Sequence, residues 1–328
     1  MEKQIVLEAR HISKYFSIRD ALGKQTGQVK AVNDVSLTLY EGETYGLVGE
    51  TGCGKSTLGR TLLRLTEPTS GSIMIRGKDF LSIREKELRE MRRQVQMVFQ
   101  DPYTSLNPKK RVGNILTEAL DIHNIGSKKE RTEIALSILD KVGLLPEHFF
   151  RYPHEFSGGQ RQRIGLARAL ILDPSVIVCD EPVSALDVSV QSQIINLLLD
   201  LQDSQNVSYL FIAHDISVVE YISSRVGVMY LGHIMEEAPT GELFANPLHP
   251  YTQALLSAVP LPDPHQKKER VILEGEIPSP INAPAGCVFH TRCKHCMEIC
   301  RQHQPEMTEA APDHRVACHL CVGKGGAE

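Results

Sequence analysis

The run GETGCGKST, at residues 49–57, fits the phosphate-binding pattern G-x-x-x-x-G-K-[ST]. Its glycines let the backbone turn closely, so that successive N–H groups can point at phosphate oxygens. In such a loop Lys55 contacts the β- and γ-phosphates of a nucleotide, and the hydroxyl of Ser56 binds Mg²⁺. A chance glycine-rich turn is the alternative. The pattern therefore predicts a nucleoside triphosphate site that uses magnesium.

Two acidic residues close a second run of interest, VIVCDE at 176–181. A carboxylate at the end of a buried strand is costly unless it meets a cation. We therefore expect Asp180 to hold the magnesium shell and Glu181 to act as the general base that polarises an attacking water. Helix capping explains either acid alone but is a poor explanation for both.

Two further polar residues follow apolar runs. Gln100 comes after VQMVF and carries an amide that can reach a metal ion or a water. His214 ends the run FIAH, where a lone histidine is more often a structural residue than a catalyst. Neither residue identifies a function by itself.

A second phosphate-binding nest is predicted in FSGGQRQR at 156–163. Ser157, Gly158 and Gly159 precede a helical pattern, and a helix N-terminus attracts anions. The first loop already accounts for one nucleotide per chain. The second nest therefore indicates that the chain binds the nucleotide held by a different subunit.

Short apolar runs alternate with amphipathic segments, which indicates a parallel sheet covered by helices. A helix is predicted to start near Lys55, and residues 110–142 are predicted to be helical. Residues 4–10 and 30–40 alternate like edge strands around a polar loop at 19–28. The predicted buried strands are TYGLV (44–48), VQMVF (95–99), VIVCD (176–180) and YLFIAH (209–214). The predicted core stripe of the helix after the third strand is Ile194, Leu197, Leu198 and Leu201.

The bulk properties are those of a globular protein with a sizeable core. The 328 residues are 41% apolar, and the net charge of -4 argues against binding nucleic acid through bulk electrostatics. No apolar run reaches the roughly 18 residues of a membrane span, and the first residues lack a secretory pattern. We therefore expect a cytosolic chain whose thiols stay reduced. Prolines interrupt residues 259–285, which are predicted to be an irregular linker.

Together these motifs resemble the nucleotide-binding subunit of an ABC transporter, and they occur in the order typical of that family. The resemblance implies an α/β fold: an ABC-type P-loop ATPase domain at 1–258 with a mixed sheet and a helical subdomain at about 101–170. Residues 259–328 would form a small, irregular, metal-stapled C-terminal domain. The implied cofactors are ATP and Mg²⁺, and the implied activity is ATP hydrolysis.

The family's functional residues carry over onto this sequence. The implied catalytic residues are Glu181, His214 as the switch histidine, and Gln100 of the Q-loop. SALD (184–187) corresponds to the D-loop. Phe16 would stack on adenine, with Tyr15 as the alternative. The other implied nucleotide contacts are Gly49, Glu50, Thr51, Gly52, Cys53, Gly54, Lys55, Ser56, Thr57, Ser157, Gly158, Gly159, Gln160 and Asp180, and the implied magnesium ligands are Ser56, Gln100 and Asp180.

The segment NPLHPYTQALLSAVP (246–260) resembles a segment found in the ATPase subunits of oligopeptide and dipeptide importers. Such a subunit works peripherally at the cytoplasmic face of the membrane. Its partners are a second, similar ATPase subunit, two membrane permease subunits and an extracytoplasmic peptide-binding protein. Nickel or metallophore importers use the same ATPase type and remain an alternative. A soluble ABC ATPase without a permease is a further alternative, although such chains usually carry two cassettes or long coiled coils.

Six of the eight cysteines lie between Cys287 and Cys321, and two metal sites are compatible with them. By spacing alone, Cys293-x₂-Cys296 and Cys318-x₂-Cys321 resemble two zinc knuckles. By resemblance to peptide-importer ATPases, the ligands of a [4Fe–4S] cluster would be Cys287, Cys293, Cys300 and Cys318. Either metal would order a segment that has few apolar residues. Free reduced thiols are the third possibility.

Overall fold

The structure is a computed structural model that describes residues 4–259 and 271–321. The strands in these residues are β1 (Ile5–Arg19), β2 (Gln25–Tyr40), β3 (Thr44–Val48), β4 (Ser70–Ile75), β5 (Lys78–Asp79), β6 (Val95–Val98), β7 (Val176–Asp180), β8 (Ser208–Ile212), β9 (Arg225–Tyr230), β10 (His233–Pro239), β11 (Thr308–Ala311) and β12 (His314–Val316). The helices are α1 (Lys55–Leu62), α2 (Glu85–Gln94), α3 (Val112–Ile122), α4 (Lys128–Lys141), α5 (Gly158–Leu170), α6 (Val188–Gln205), α7 (Ile216–Ile222), α8 (Thr240–Ala245), α9 (Pro250–Ser257) and α10 (Glu298–Gln302). In these ranges no helix combines the length and the apolar character of a membrane span.

The chain forms two compact units. The first contains the described residues up to Glu8 together with Thr38–Glu43 and Met74–Ile212. The second contains Ala9–Leu37, Thr44–Ile73 and the described residues from Ala213 onwards. The second unit therefore holds both the phosphate-binding loop and the cysteine-rich segment.

In the first unit, three parallel strands lie in the order β8, β7, β6. Every residue of β7 (VIVCD) and β8 (SYLFI) is buried, as their mainly apolar sequences predict. Residues 101–170 contain α3, α4 and α5, which pack on one another, and no strand.

In the second unit, β3 runs parallel to β9, and antiparallel strands follow in the order β9, β10, β12, β11. The hairpin β11–β12 comes from the segment that the sequence predicts to be irregular. It extends the sheet because Glu236 and Glu237 of β10 pair with Val316 and Arg315. The sheet is therefore mixed, as the family resemblance implies, and not purely parallel.

Most of the predicted elements occur where they were expected. Strands 44–48 and 176–180 and the helix start at Lys55 are confirmed. The fourth predicted strand stops at Ile212, so His214 lies beyond it. The loop predicted at 19–28 is shorter, because β1 continues to Arg19 and β2 begins at Gln25. In α6 the buried residues are Ile194, Ile195, Leu198 and Leu201, so Ile195 replaces Leu197 in the predicted stripe.

A buried carboxylate accounts for the segment LHPY (248–251), in which α9 begins. Glu236 accepts hydrogen bonds from the backbone N–H groups of Leu248 (2.7 Å) and His249 (2.9 Å). Its carboxylate also lies 2.7 Å from Nε2 of His314, and both side chains are fully buried. One acid thus fixes the start of α9 and holds the C-terminal hairpin. His249 then caps α9, with Nδ1 accepting from the N–H of Tyr251 at 3.0 Å.

We expect His249→Asn to make the protein less sensitive to acid. Burial lowers the pKa of His249 from 6.5 to about 3. Above pH 6.5, His249 is neutral in both the folded and the unfolded protein. As the pH falls from 6.5 toward 3, the unfolded chain binds a proton at His249 that the folded chain does not, so the free energy of unfolding decreases by up to about 1.4 kcal/mol per pH unit. Urea unfolding near pH 7 and about pH 5 measures this loss. It should be smaller in His249→Asn, which keeps a capping side chain, and unchanged in the exposed control His295→Asn. An equal loss in all three proteins would contradict the assignment.

Candidate nucleotide and catalytic site

The phosphate-binding loop joins β3 to α1 through two glycines that no other residue can replace without strain. Gly54 caps α1 with φ 109°, and a Cβ there would lie 2.0 Å from the carbonyl oxygen of Ala31. Gly49 has φ 154°, and its Cβ would lie 2.1 Å from the carbonyl oxygen of Met229. These contacts explain why the loop needs glycine at both positions.

Lys55 is enclosed by the loop. Its ammonium donates to the carbonyl oxygens of Gly49 at 2.7 Å and Glu50 at 3.2 Å, and the residue is buried. Thr51 and Gly52, at the tip of the loop, are exposed. The loop therefore presents a positive charge beneath backbone that solvent or a ligand can reach, which is the arrangement that a polyphosphate requires.

Cys53 lies inside the same loop but is not a reactive thiol. It is buried, and this burial raises its pKa, so the neutral thiol is favoured near neutral pH.

The two aromatic candidates for stacking on adenine differ in their surroundings. Tyr15 donates a hydrogen bond to Oδ1 of Asn33, and the ammonium of Lys30 lies 5.9 Å from the centre of its ring. Phe16 is 42% exposed, and its ring has the ammonium of Lys14 at 5.0 Å. Phe16 therefore has the more accessible ring, which favours it over Tyr15.

In the first unit, Gln100 and Glu181 lie together. Nε2 of Gln100 donates to Oε2 of Glu181 at 2.7 Å, although 81 residues separate them along the chain. The preceding residue, Asp180, is fully buried at the end of β7, opposite Ile212 in β8. Gln100 and Glu181, which the sequence predicts to be functional on separate grounds, thus form one hydrogen-bonded pair next to the buried Asp180.

Glu181 also has an unusual backbone. Its φ of 47° places a non-glycine residue in the left-handed region, which costs energy. Two hydrogen bonds hold this conformation. The N–H of Glu181 donates to the carbonyl oxygen of Ile212 at 2.9 Å, and the carbonyl oxygen of Glu181 accepts from the hydroxyl of Ser184 at 3.1 Å. Such a strained position, maintained by surrounding hydrogen bonds, indicates that the direction of this carboxylate matters for function.

The run SGGQ forms a reciprocal cap at the start of α5. The N–H of Gln160 donates to Oγ of Ser157 at 3.4 Å, and the N–H of Ser157 donates to Oε1 of Gln160 at 3.1 Å. The S-x-x-Q pattern of this capping box is present in the sequence, where it overlaps the predicted phosphate-binding nest. Ser157 is exposed, so the capped end of α5 is open to another molecule.

The remaining predicted residues are placed as follows. His214 is exposed between β8 and α7. Asp187 of the D-loop caps α6 by accepting from the N–H of Val190 at 3.0 Å. Phe156 is buried against His148, with ring centres 5.1 Å apart, which accounts for an apolar residue just before the SGGQ run.

Several cysteines of the C-terminal segment lie near one another. Burial raises the pKa of Cys287 to about 12, and the nearby Cys300, Cys318 and Cys293 add to the increase. The pKa of Cys318 is raised by a hydrogen bond with Cys321 and by burial. However, residues 4–259 and 271–321 contain no group of three or more His, Cys, Asp or Glu side chains placed to hold a metal ion.

Comparison with known proteins identifies the two parts of the chain. Residues 32–184 match the model of the ABC transporter family, and residues 235–300 match that of the oligopeptide/dipeptide transporter C-terminal region. The chain is 56% identical to the oligopeptide transport ATP-binding protein AppF of Bacillus subtilis, over 97% of this chain and 98% of that protein. It is 53% identical to the putative oligopeptide transport ATP-binding protein YkfD of the same species, over 98% and 97%.

The fold is shared with solved ATP-binding cassettes. The dimeric, post-hydrolysis structure of the cassette MJ0796, bound to ADP and phosphate, superposes with a TM-score of 0.63 at 27% identity. The match covers 71% of this chain and 98% of that cassette. The chain therefore belongs to the ABC transporter family, among the ATP-binding proteins that carry the oligopeptide/dipeptide transporter C-terminal region.

Proposed function

We propose that this chain is the ATP-binding and ATP-hydrolysing subunit that powers the import of peptides through a membrane ABC transporter. The hydrolytic part depends above all on Glu181, whose carboxylate is held by Gln100 at a strained backbone position directly after Asp180. The peptide cargo is inferred from relatives such as AppF, which are peptide-transport ATP-binding proteins.

In the proposed mechanism, Lys55 and the N–H groups of the loop at 49–57 bind the phosphates, and Phe16 stacks on adenine. Glu181 orients the attacking water and accepts its proton, while His214 contacts the γ-phosphate. The hydroxyl of Ser56, the amide of Gln100 and the carboxylate of Asp180 are hard oxygen donors of the kind that Mg²⁺ prefers. When bound, the ion would neutralise phosphate charge.

We further propose that the chain works as one of two ATPase subunits joined head to tail. The exposed, capped end of α5, at Ser157, would face the phosphate-binding loop of a second, similar ATPase subunit. This pair would act at the cytoplasmic face of the membrane on two permease subunits, with an extracytoplasmic binding protein that delivers the peptide.

The domain division remains a proposal as well: residues 1–258 bind nucleotide, and 259–328 form the C-terminal region.

Ser157→Arg should damage the partner's ATP site and leave the site on the same chain able to bind nucleotide. The reason is that a bulky cation would occupy the space where the second subunit's phosphates are proposed to lie. The rate of ATP hydrolysis in a mixed assembly, in which only one subunit carries Ser157→Arg, measures the effect. An isolated monomer with full activity at high dilution would contradict the two-subunit arrangement.

Co-purification tests the function as a whole. Tagged, full-length chain should bring down integral membrane proteins, and peptide-loaded binding protein should stimulate ATP hydrolysis by that complex several-fold. Stimulation by nickel or a metallophore, and not by peptide, would assign the chain to the other importers of this ATPase type. Purification of an active enzyme without any membrane protein would contradict the transport function.

We propose that Cys287, Cys293, Cys300 and Cys318 hold a [4Fe–4S] cluster, because the other three lie close enough to Cys287 to contribute to its raised pKa. The chemistry of the donors supports the assignment, because an all-cysteine set suits iron–sulfur clusters. Zinc, which also accepts four thiolates, is the alternative metal. The cluster would order this segment.

Anaerobically purified protein should be brown and contain about four iron atoms per chain. Replacing any of the four proposed ligands by Ser should remove the visible absorbance, whereas Cys296→Ser and Cys321→Ser should have a smaller effect. Iron analysis and the visible spectrum measure both. Colourless protein with one zinc ion, in which Cys296 and Cys321 are essential, would overturn the iron–sulfur proposal in favour of a zinc site.

A further inference from the structure

An arginine of the cysteine-rich segment contacts the phosphate-binding loop. Nη1 of Arg292 donates to Oε2 of Glu50 at 2.7 Å, and Nη2 donates to Oε1 at 3.2 Å. Glu50 is the residue directly after Gly49 in the loop, and 242 positions separate it from Arg292. The pair is bidentate and mostly shielded from water, since the two side chains are 7% and 22% exposed, respectively.

Arg292 is held in place by a buried aromatic cluster. It ends a short 3₁₀ turn, His290–Arg292, and its N–H donates to the carbonyl of Phe289 at 3.0 Å. The ring of Phe289 is buried against Tyr230 and Tyr251, at centroid distances of 5.3 and 5.4 Å. The guanidinium thus projects from a rigid part of the second unit rather than from a free surface side chain.

Glu50 is fixed at three points by its surroundings. Arg292 binds its carboxylate, the hydroxyl of Tyr251 accepts from its N–H at 2.9 Å, and Lys55 donates to its carbonyl at 3.2 Å. Glu50, the second residue of the phosphate-binding loop, is therefore anchored from both the C-terminal segment and α9. A displacement of Arg292 would act on the loop through a direct contact.

The charge of Glu50 makes this contact important for an anionic ligand. A carboxylate in a loop that wraps around phosphates repels them, and the repulsion is stronger in a partly buried site than in water. Arg292 compensates this charge, while the positive charge of Lys55 remains available for the phosphates. Without Arg292, the loop would present a carboxylate with much weaker compensation to the nucleotide.

We propose that Arg292 is a positioning residue for ATP binding: it neutralises and orients Glu50, and so links the C-terminal cysteine segment to the nucleotide site. The consequence is that the nucleotide affinity of this ATPase depends on the folded state of its C-terminal segment. No contact between Arg292 and the nucleotide is required.

The test measures the Kd of the full-length chain for Mg·ATP. Arg292→Gln, which removes the charge but keeps a donor, should raise the Kd about tenfold, as expected for loss of a partly buried charge interaction. Arg292→Lys should stay within about threefold, because it keeps the charge. The matched control is Arg301→Gln, in the same segment but 62% exposed, which should change the Kd less than about twofold. Circular dichroism and melting verify that each variant is folded.

A second substitution separates the proposed role from a general structural one. Glu50→Gln removes the carboxylate that Arg292 compensates, so in a chain that already carries Glu50→Gln the further change Arg292→Gln should alter the Kd less than about twofold. In the assembled transporter, Arg292→Gln should raise the KM for ATP and change kcat little.

A folded Arg292→Gln with wild-type affinity would overturn the proposal. So would a rise in Kd of about tenfold when Arg292→Gln is added to Glu50→Gln, because a purely structural role of Arg292 would not depend on the carboxylate. If Arg292→Gln alone fails to fold, the comparison of the double variant with Glu50→Gln decides, since neither carries the carboxylate: a Kd that agrees within about twofold supports the proposal, and a difference of about tenfold rejects it.

Discussion

Glu181→Gln is expected to bind ATP and to hydrolyse it at least about 100-fold more slowly, the usual contribution of a general base. The substitution is nearly isosteric, and the new amide retains an oxygen that can accept from Nε2 of Gln100, so the 2.7 Å contact can persist. The amide cannot take a proton from the attacking water. The rate should fall without any loss of affinity, and the variant paired with its partner should accumulate in the ATP-bound, closed state.

Phosphate release under single-turnover conditions measures this effect, with the second ATP site of the complex also disabled. The control is Glu133→Gln, an acid-to-amide change on α4 at a side chain that is 63% exposed, which should hydrolyse ATP at the wild-type rate. Undiminished phosphate release by Glu181→Gln would show that another group activates the water.

Lys55→Ala is expected to weaken ATP binding itself. Lys55 is the buried cation of the loop, and losing a hydrogen bond to a charged group costs about 1.5–3 kcal/mol. This corresponds to an increase in Kd of about tenfold to 100-fold. The effect differs in kind from that of Glu181→Gln, because the nucleotide is no longer held.

Equilibrium titration with a fluorescent ATP analogue measures the Kd, and Lys78→Ala, at an exposed position in β5, is the matched control. If Lys55→Ala keeps the wild-type affinity, the assignment of the loop at 49–57 as the main phosphate contact is incorrect.

Local sequence patterns were sufficient to predict the elements around the site. The apolar run 44–48, the glycine-rich turn and the helix start at Lys55 all lie within one short stretch, and the structure agrees with them. Boundaries were less predictable where exposed polar residues continue a strand, as in β1 and β2, because backbone pairing there does not depend on apolar side chains.

Contacts between distant parts of the chain had no local signal. Arg292 and Glu50 are 242 positions apart, and His314 and Glu236 are 78 apart. An arginine among cysteines resembles any surface cation, and a histidine between polar residues gives no indication that it will be fully buried. Only the packing of β12 on β10 and of Phe289 on its aromatic neighbours brings these residues to their partners.

The central claim is that ATP hydrolysis by this chain drives peptide import, and uptake of a labelled peptide into proteoliposomes tests it most directly. The vesicles contain the assembled transporter with either the wild-type chain or Glu181→Gln, and ATP is supplied on the side of the ATPase subunits. The account predicts that peptide accumulates with the wild-type chain and ATP, and that accumulation stops with Glu181→Gln. ATP hydrolysis by the wild-type complex without peptide uptake, or uptake that is unaffected by Glu181→Gln, would contradict the account.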